Sequence, residues 1–192
     1  VGGVLLTVLA VATSGYIRAF VGRLTQRIFF KGQYDAEELL SRLTHILAET
    51  LDLEETTGRT LAALTSAMGL KDAAFIIGGE EGIRAIKSIG FGEKDLNDPE
   101  LFAILKNRDP RHIFVFEDMN DGSLKELFRR LKISVVVPLR VGAIDVALLV
   151  LGLRSSGEAY FDRDIDFLDT FSSTVGLALQ NAKTYEELKR FN

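Results

Sequence analysis

The sequence predicts an α+β domain: one antiparallel sheet of five to six strands flanked by helices, with long helices at both ends. Three observations predict it. Two apolar stripes at three-and-four spacing precede a block of short apolar runs. Glycines and helix-capping residues cut that block into short strands and short helices, with hairpin links between strands. From Asp162 a helical pattern then continues to Asn192. No strand–helix–strand unit carries a phosphate-loop motif, which argues against a nucleotide-binding parallel sheet.

Composition narrows the chemistry. Of 192 residues, 47% are hydrophobic and 26% charged, values suited to a folded domain and not to a disordered chain. The absence of cysteine excludes disulfides, thiolate zinc sites, cysteine nucleophiles and thioether-linked cofactors. The 27 acids outnumber the 23 bases, so the chain lacks the basic excess of a nucleic-acid-binding module.

Residues 1–17, VGGVLLTVLAVATSGYI, carry no charge and reach the lower limit of a membrane-spanning helix. Arg18, Arg23, Arg27 and Lys31 follow, with no acid before Asp35, as on the cytoplasmic flank of a span. A signal peptide places its bases before the apolar run instead. Residues 1–35 are therefore read as a truncated transmembrane and juxtamembrane helix, with membrane attachment through 1–17. The plainer alternative is a buried or partner-bound apolar helix. A chain opening on Val1 is expected to be a piece of a longer protein.

Ala36, Leu39, Leu40, Leu43, Ile46, Leu47 and Leu51 predict a helix over 36–51. Asp52 and Glu55 form a capping box for a second helix, with a face of Leu53, Thr57, Leu61, Leu64 and Met68 and a stop at Gly69. Residues 73–77 and 83–89 predict a hairpin around the glycine-rich turn 78–82. Asp98-Pro99 starts a short helix. Residues 113–116 predict a third strand, and Ser123 with Glu126 a capping box for a further helix. Residues 133–141 and 143–153 predict the two strongest strands, turning at Gly142. The last strand is apolar on both faces, so helices should cover both sides of it. Pro138 favours an edge or a strand end. In the terminal helix Leu168, Phe171, Val175, Ala178, Ala182 and Tyr185 form a coiled-coil-like seam. Leu177, Asn181, Thr184, Leu188 and Phe191 form a second stripe, and no stop signal marks Asn192.

This element order resembles a GAF domain, a profilin-like fold. So do Val137-Pro138-Leu139, the run Ile144–Leu151, Phe161-Asp162, Leu168 and Ala178-Leu179-Gln180-Asn181-Ala182. The usual glycine of the penultimate strand is Val146 or Ala147 here. The resemblance covers roughly residues 36–192. A second segment, Arg27-Ile28-Phe29-Phe30 with Tyr34-Asp35, is similar to the stretch after the membrane region in some bacterial sensor histidine kinases, where a GAF domain follows. Together these imply three parts: 1–35 at the membrane, a GAF sensory domain over 36–161, and a signalling helix over 162–192 leading to an output domain. They place the protein on the cytoplasmic face of the bacterial inner membrane and imply a relay, not a catalyst.

Gly78-Gly79-Glu80-Glu81-Gly82 is similar to a diguanylate cyclase signature, but Gly82 stands where phenylalanine is needed; it reads as a hairpin turn. Asp162, Asp164 and Asp166 lack the glycine and glutamate of a calcium loop and read as helix capping. His45 lacks the acid that follows a phosphoacceptor histidine and reads as a surface residue. No metal set and no nucleophile–base pair is legible. The GAF resemblance implies a pocket, for which Arg84, Phe91, Phe102, His112, Phe114, Phe116 and Phe128 are the candidates. The aromatic members fit a plain core equally. No cofactor is expected. The pocket takes an unidentified small molecule or nothing.

The expectation is a non-catalytic GAF relay of a sensor histidine kinase, a homodimer through its terminal helices. Two alternatives stay open: a purely structural dimerisation adaptor, and a GAF input to a diguanylate cyclase.

Overall fold

The computed structural model describes residues 34–78, 83–106, 113–142 and 144–191. Residues 1–17, the turn at 79–82 and His112 lie outside the described residues. Asp35–Asn192 forms one compact unit.

Helix α1 spans Ala36–Glu49 and α2 spans Leu53–Met68. Asp35 caps α1 by accepting from the Glu37 and Glu38 amides, and Asp52 caps α2 by accepting from the Glu55 amide. The helix α2 ends at Gly69 in the left-handed region, as its sequence predicts. Strand β1 (Ala73–Gly78) pairs with β2 (Ile83–Ile89) as an antiparallel hairpin. A four-residue helix, α3 (Glu93–Leu96), is a turn that the sequence pattern did not signal, and α4 (Pro99–Lys106) follows.

Strand β3 is shorter than predicted. Only Phe114–Val115 pairs, and Phe116 opens a 3-10 turn through Asp118. Helix α5 (Ser123–Leu131) is preceded by Gly122 at the cap, so Ser123 stands inside the first turn and makes no side-chain cap. The capping box predicted for Ser123 is one residue out of register. Strands β4 (Val135–Val141) and β5 (Ile144–Leu151) form a hairpin through Gly142, and α6 spans Asp162–Phe191.

The five strands lie in the order β2-β1-β5-β4-β3, with every pair antiparallel. Strand β4 is not an outer strand, yet its pairing with β3 stops at Val136. Pro138 sits beyond that point, opposite Leu148, where among the described residues no outer strand needs its missing amide.

Central strand β5 is buried on both faces, as predicted. Leu148 and Val150 join Ala74, Ile76 and Val136 in a core closed by α3, α4 and α5. Ala147, Leu149 and Leu151 face the other way, beside Phe75 and Val137, under α2 and α6, with α1 packed against those two helices. On α6 the buried hydrophobic side chains are Phe167, Leu168, Phe171, Val175, Leu179 and Ala182. Most of the predicted seam thus packs on the domain's own sheet. Gly176 makes this possible: a Cβ there would lie 2.9 Å from the Arg140 carbonyl oxygen, so the helix rests directly on the backbone of β4.

Candidate functional site

Two regions between the sheet and its short helices are candidates. The first is the chamber over Ala74, Ile76, Leu148 and Val150. It is filled by Leu96, Leu101, Ile104, Phe114, Leu127 and Phe128, all buried. Phe91 and Phe116 pack against its margin. Four of the aromatic candidates therefore meet around one apolar cluster, with Phe114 and Phe128 inside it. Phe116 is half-buried, and Lys125 and Arg129 stand over its ring at 5.5 and 5.8 Å. Arg84 lies on β2 and Phe102 on α4.

The second region is an open cleft of about 630 Å³ at the end of the sheet, between the β2–α4 connection and the end of α5. Such a volume suits a small molecule. Asp72, at the start of β1, forms part of its lining. Its carboxylate occupies a notch between two glycines. A Cβ on Gly90 would lie 2.3 Å from Asp72 Oδ1, and one on Gly152 would lie 2.8 Å from the Asp72 Cβ and 3.2 Å from the Phe91 ring. Gly90 also has φ +81°, so it is held both by backbone conformation and by space. Lys94 on α3 and Lys132, just past α5, also line the cleft. Lys132 itself holds the left-handed conformation that closes the helix. One wall is tied by Arg130, which donates to Asp98 Oδ2 at 2.7 Å while Asp98 Oδ1 caps α4 through the Glu100 amide. Among the candidates whose side chains are described, Phe91 alone lines this cleft. Asp72, Lys94 and Lys132 were missed because they come together only after the sheet aligns the starts of β1 and β4.

A buried ion pair at the start of α6 was also missed. Arg154 Nη2 lies 2.5 Å from Asp164 Oδ2, and both side chains are nearly inaccessible. The Tyr160 and Phe161 rings flank the guanidinium at 5.3 and 5.9 Å. Asp164 does cap the helix, accepting from the Phe161 amide at 2.9 Å, but it also anchors the preceding loop. That loop pairs back on the end of α2: Leu70 and Arg154 form a β-bridge, and the Ser155 amide donates to the Gly69 carbonyl. The end of α2 and the start of α6 are thereby joined.

On the outer surface His45 is largely exposed, with Nδ1 3.1 Å from Glu49 on the next turn. Glu49 also accepts from Arg59 of α2. That hydrogen bond, helped by the charges of Arg59 and His45, holds the Glu49 carboxyl below its ordinary pKa against a smaller opposing effect of desolvation. Among the described residues no group of three acids, histidines or cysteines is placed to hold a metal ion. Among the same residues no helix is long and apolar enough to cross a membrane.

No family model matches the chain, and no curated protein matches it. Solved structures do. The GAF domain of a phosphoenolpyruvate-protein phosphotransferase from Coxiella burnetii is 11% identical with a TM-score of 0.60, over 79% of this chain and 96% of that one. The GAF domain of a putative sensor histidine kinase from Pseudomonas syringae pv. tomato is 14% identical with a TM-score of 0.58, over 91% and 99%. The GAF domain of the potassium sensor histidine kinase KdpD from Escherichia coli is 13% identical with a TM-score of 0.54, over 79% and 98%. The likeness is one of fold: residues 35–191 have the GAF fold.

Proposed function

We propose that the chain is a non-catalytic sensory and relay module of a bacterial signal-transduction protein, a sensor histidine kinase, attached through residues 1–17 to the cytoplasmic face of the inner membrane. One observation carries the reading. The helix before the sheet, α1, and the helix after it, α6, pack against each other on one face of the sheet. Displacement of either bears on the other. The α6 surface away from the sheet carries Leu177, Tyr185 and Leu188 at 54%, 49% and 59% exposure. Leu177 and Leu188 belong to the second stripe, and both are more than half exposed. That stripe is the dimer seam of this reading, and the two states of a paired helix bundle are what an input biases. The GAF fold of two sensor-kinase domains and the segment Arg27–Asp35 support the kind of parent protein.

A second reading, a purely structural dimerisation adaptor, is favoured by the filled chamber around Phe114 and Phe128. It shares the dimer and differs only in lacking an input at the sheet.

Sedimentation of the 192-residue chain in detergent tests the seam. A dimer is expected, and Leu177→Glu with Leu188→Glu should reduce it to a monomer while leaving the circular dichroism unchanged. A monomeric parent chain, or a dimer indifferent to both charges, overturns the reading. Because the chain lacks cysteine, Leu188→Cys introduces a lone thiol. Its oxidation should yield a covalent dimer.

A further inference from the structure

The cleft at the end of the sheet has a charge arrangement that nothing within it satisfies. Among the described residues no ion pair or side-chain hydrogen bond engages Asp72, Lys94 or Lys132, whereas their neighbours Arg130 and Asp98 are joined to each other. The Asp72 carboxylate is half-buried and fixed in its glycine notch. A ligand ammonium is the charge-assisted partner that this carboxylate can take from within the cleft. Opposite it, Lys132 precedes β4 and Asp72 precedes β1, with β5 between them. Both residues border the same cleft of about 630 Å³, which leaves room for a small molecule between them. Phe91, Pro99 and Leu131 give the lining an apolar component.

We propose that this cleft binds a small zwitterion of the amino-acid type. Its ammonium sits on Asp72, its carboxylate lies between Lys132 and Lys94, and an uncharged side chain lies toward Phe91. The proposal names the input for the sensory reading given above, but the binding itself does not depend on the dimer. A chain that proves monomeric and still binds overturns the seam and leaves the cleft standing.

The experiment is a thermal-shift screen of the 192-residue chain with pools of the standard amino acids, followed by calorimetry on any that raise the transition. At least one uncharged amino acid should bind. Its decarboxylated amine and its N-acetyl derivative should each bind at least about tenfold more weakly, the discrimination expected of one lost charge-assisted contact. Asp72→Asn, isosteric in its notch, should weaken binding by a similar factor. Lys132→Asn keeps a residue that tolerates the left-handed backbone and should do the same. Unliganded melting of both variants should match the parent chain. Three results would overturn the proposal: no amino acid shifts the transition, the amine alone binds as well as the zwitterion, or both variants bind undiminished.

Discussion

The two faces of the sheet are built differently. One carries α1, α2 and α6, of 14, 16 and 30 residues, with aspartate caps on the first two and an ion-paired anchor on the third. The other carries α3, α4 and α5, of four, eight and nine residues, together with the 3-10 turn that follows the two-residue edge strand β3. Short elements leave a larger share of backbone groups outside helical or ladder hydrogen bonds. Such segments open locally at lower free energy. The first face is suited to carry displacement as rigid rods, and the second to adjust around a ligand. The cleft at Asp72 lies where the adjustable elements meet the ends of the strands.

Core truncation breaks or sharpens this contrast most strongly. Phe171 and Phe128 are both fully buried, one on each face, and Phe171 stacks on Phe167 at 5.8 Å. Phe171→Ala should cost about 3–5 kcal/mol, with Phe128→Ala at the lower end because short elements can close into the hole. Urea unfolding measures both, and equal losses would show that the two faces are equally stiff.

The anchor of α6 comes next. Arg154→Met leaves the buried Asp164 carboxylate without its guanidinium and should cost about 3 kcal/mol, while adding Asp164→Leu should recover much of that loss. A double-mutant cycle reads the coupling. If the two losses simply add, the pair does not hold the helix as a unit. Gly176→Ala should have a smaller effect. Its methyl meets the Arg140 carbonyl rather than a flexible side chain, so α6 must lift from β4 at a cost of about 1–3 kcal/mol. Should the variant melt with the parent chain, the close approach is not a constraint on α6.

The difference between the faces also explains what the sequence could tell. Leu39, Leu43 and Leu47, or Leu61 and Leu64, repeat at helical spacing for several turns, and the aspartates before them mark the starts. The both-faces-apolar run 144–151 announced a central strand in the same way. On the other face four-residue α3 is too short to show a period, and β3 ends because a 3-10 turn begins at Phe116: its amide still donates to the Ser134 carbonyl in the β3–β4 register, but the Met119 amide closes the turn on the Phe116 carbonyl. The α6 seam shows a further limit. A three-four stripe identifies an apolar face but not whether that face meets the chain's own sheet or a second copy. Phe171 and Val175 meet the sheet, leaving Leu177 and Leu188 outside. Site residues were least legible of all. The aromatic candidates share composition with any core, whereas Asp72, Arg154 and Asp164 gain their character from partners or voids distant in the chain.

The smallest expected effect lies on the outer surface of the regular face, where Glu49 near the end of α1 accepts from Arg59 of α2. The Arg59 hydrogen bond, with the charges of Arg59 and His45 behind it, lowers the Glu49 pKa; the same bond to Glu49, with a smaller contribution from Glu55, raises that of Arg59. A carboxyl depressed on folding contributes stability above its unfolded pKa and loses it as pH falls through the depressed folded value. The tie between α1 and α2 should therefore fade only on the acid side of the ordinary glutamate range, and salt should weaken it because both groups are in solvent. A carbon-detected titration of the Glu49 carboxyl should find a midpoint that moves up toward the ordinary value in Arg59→Gln. A midpoint indifferent to that change would mean the two helices are joined by their buried leucines alone, and that the surface network adds nothing to the stiffness of this face.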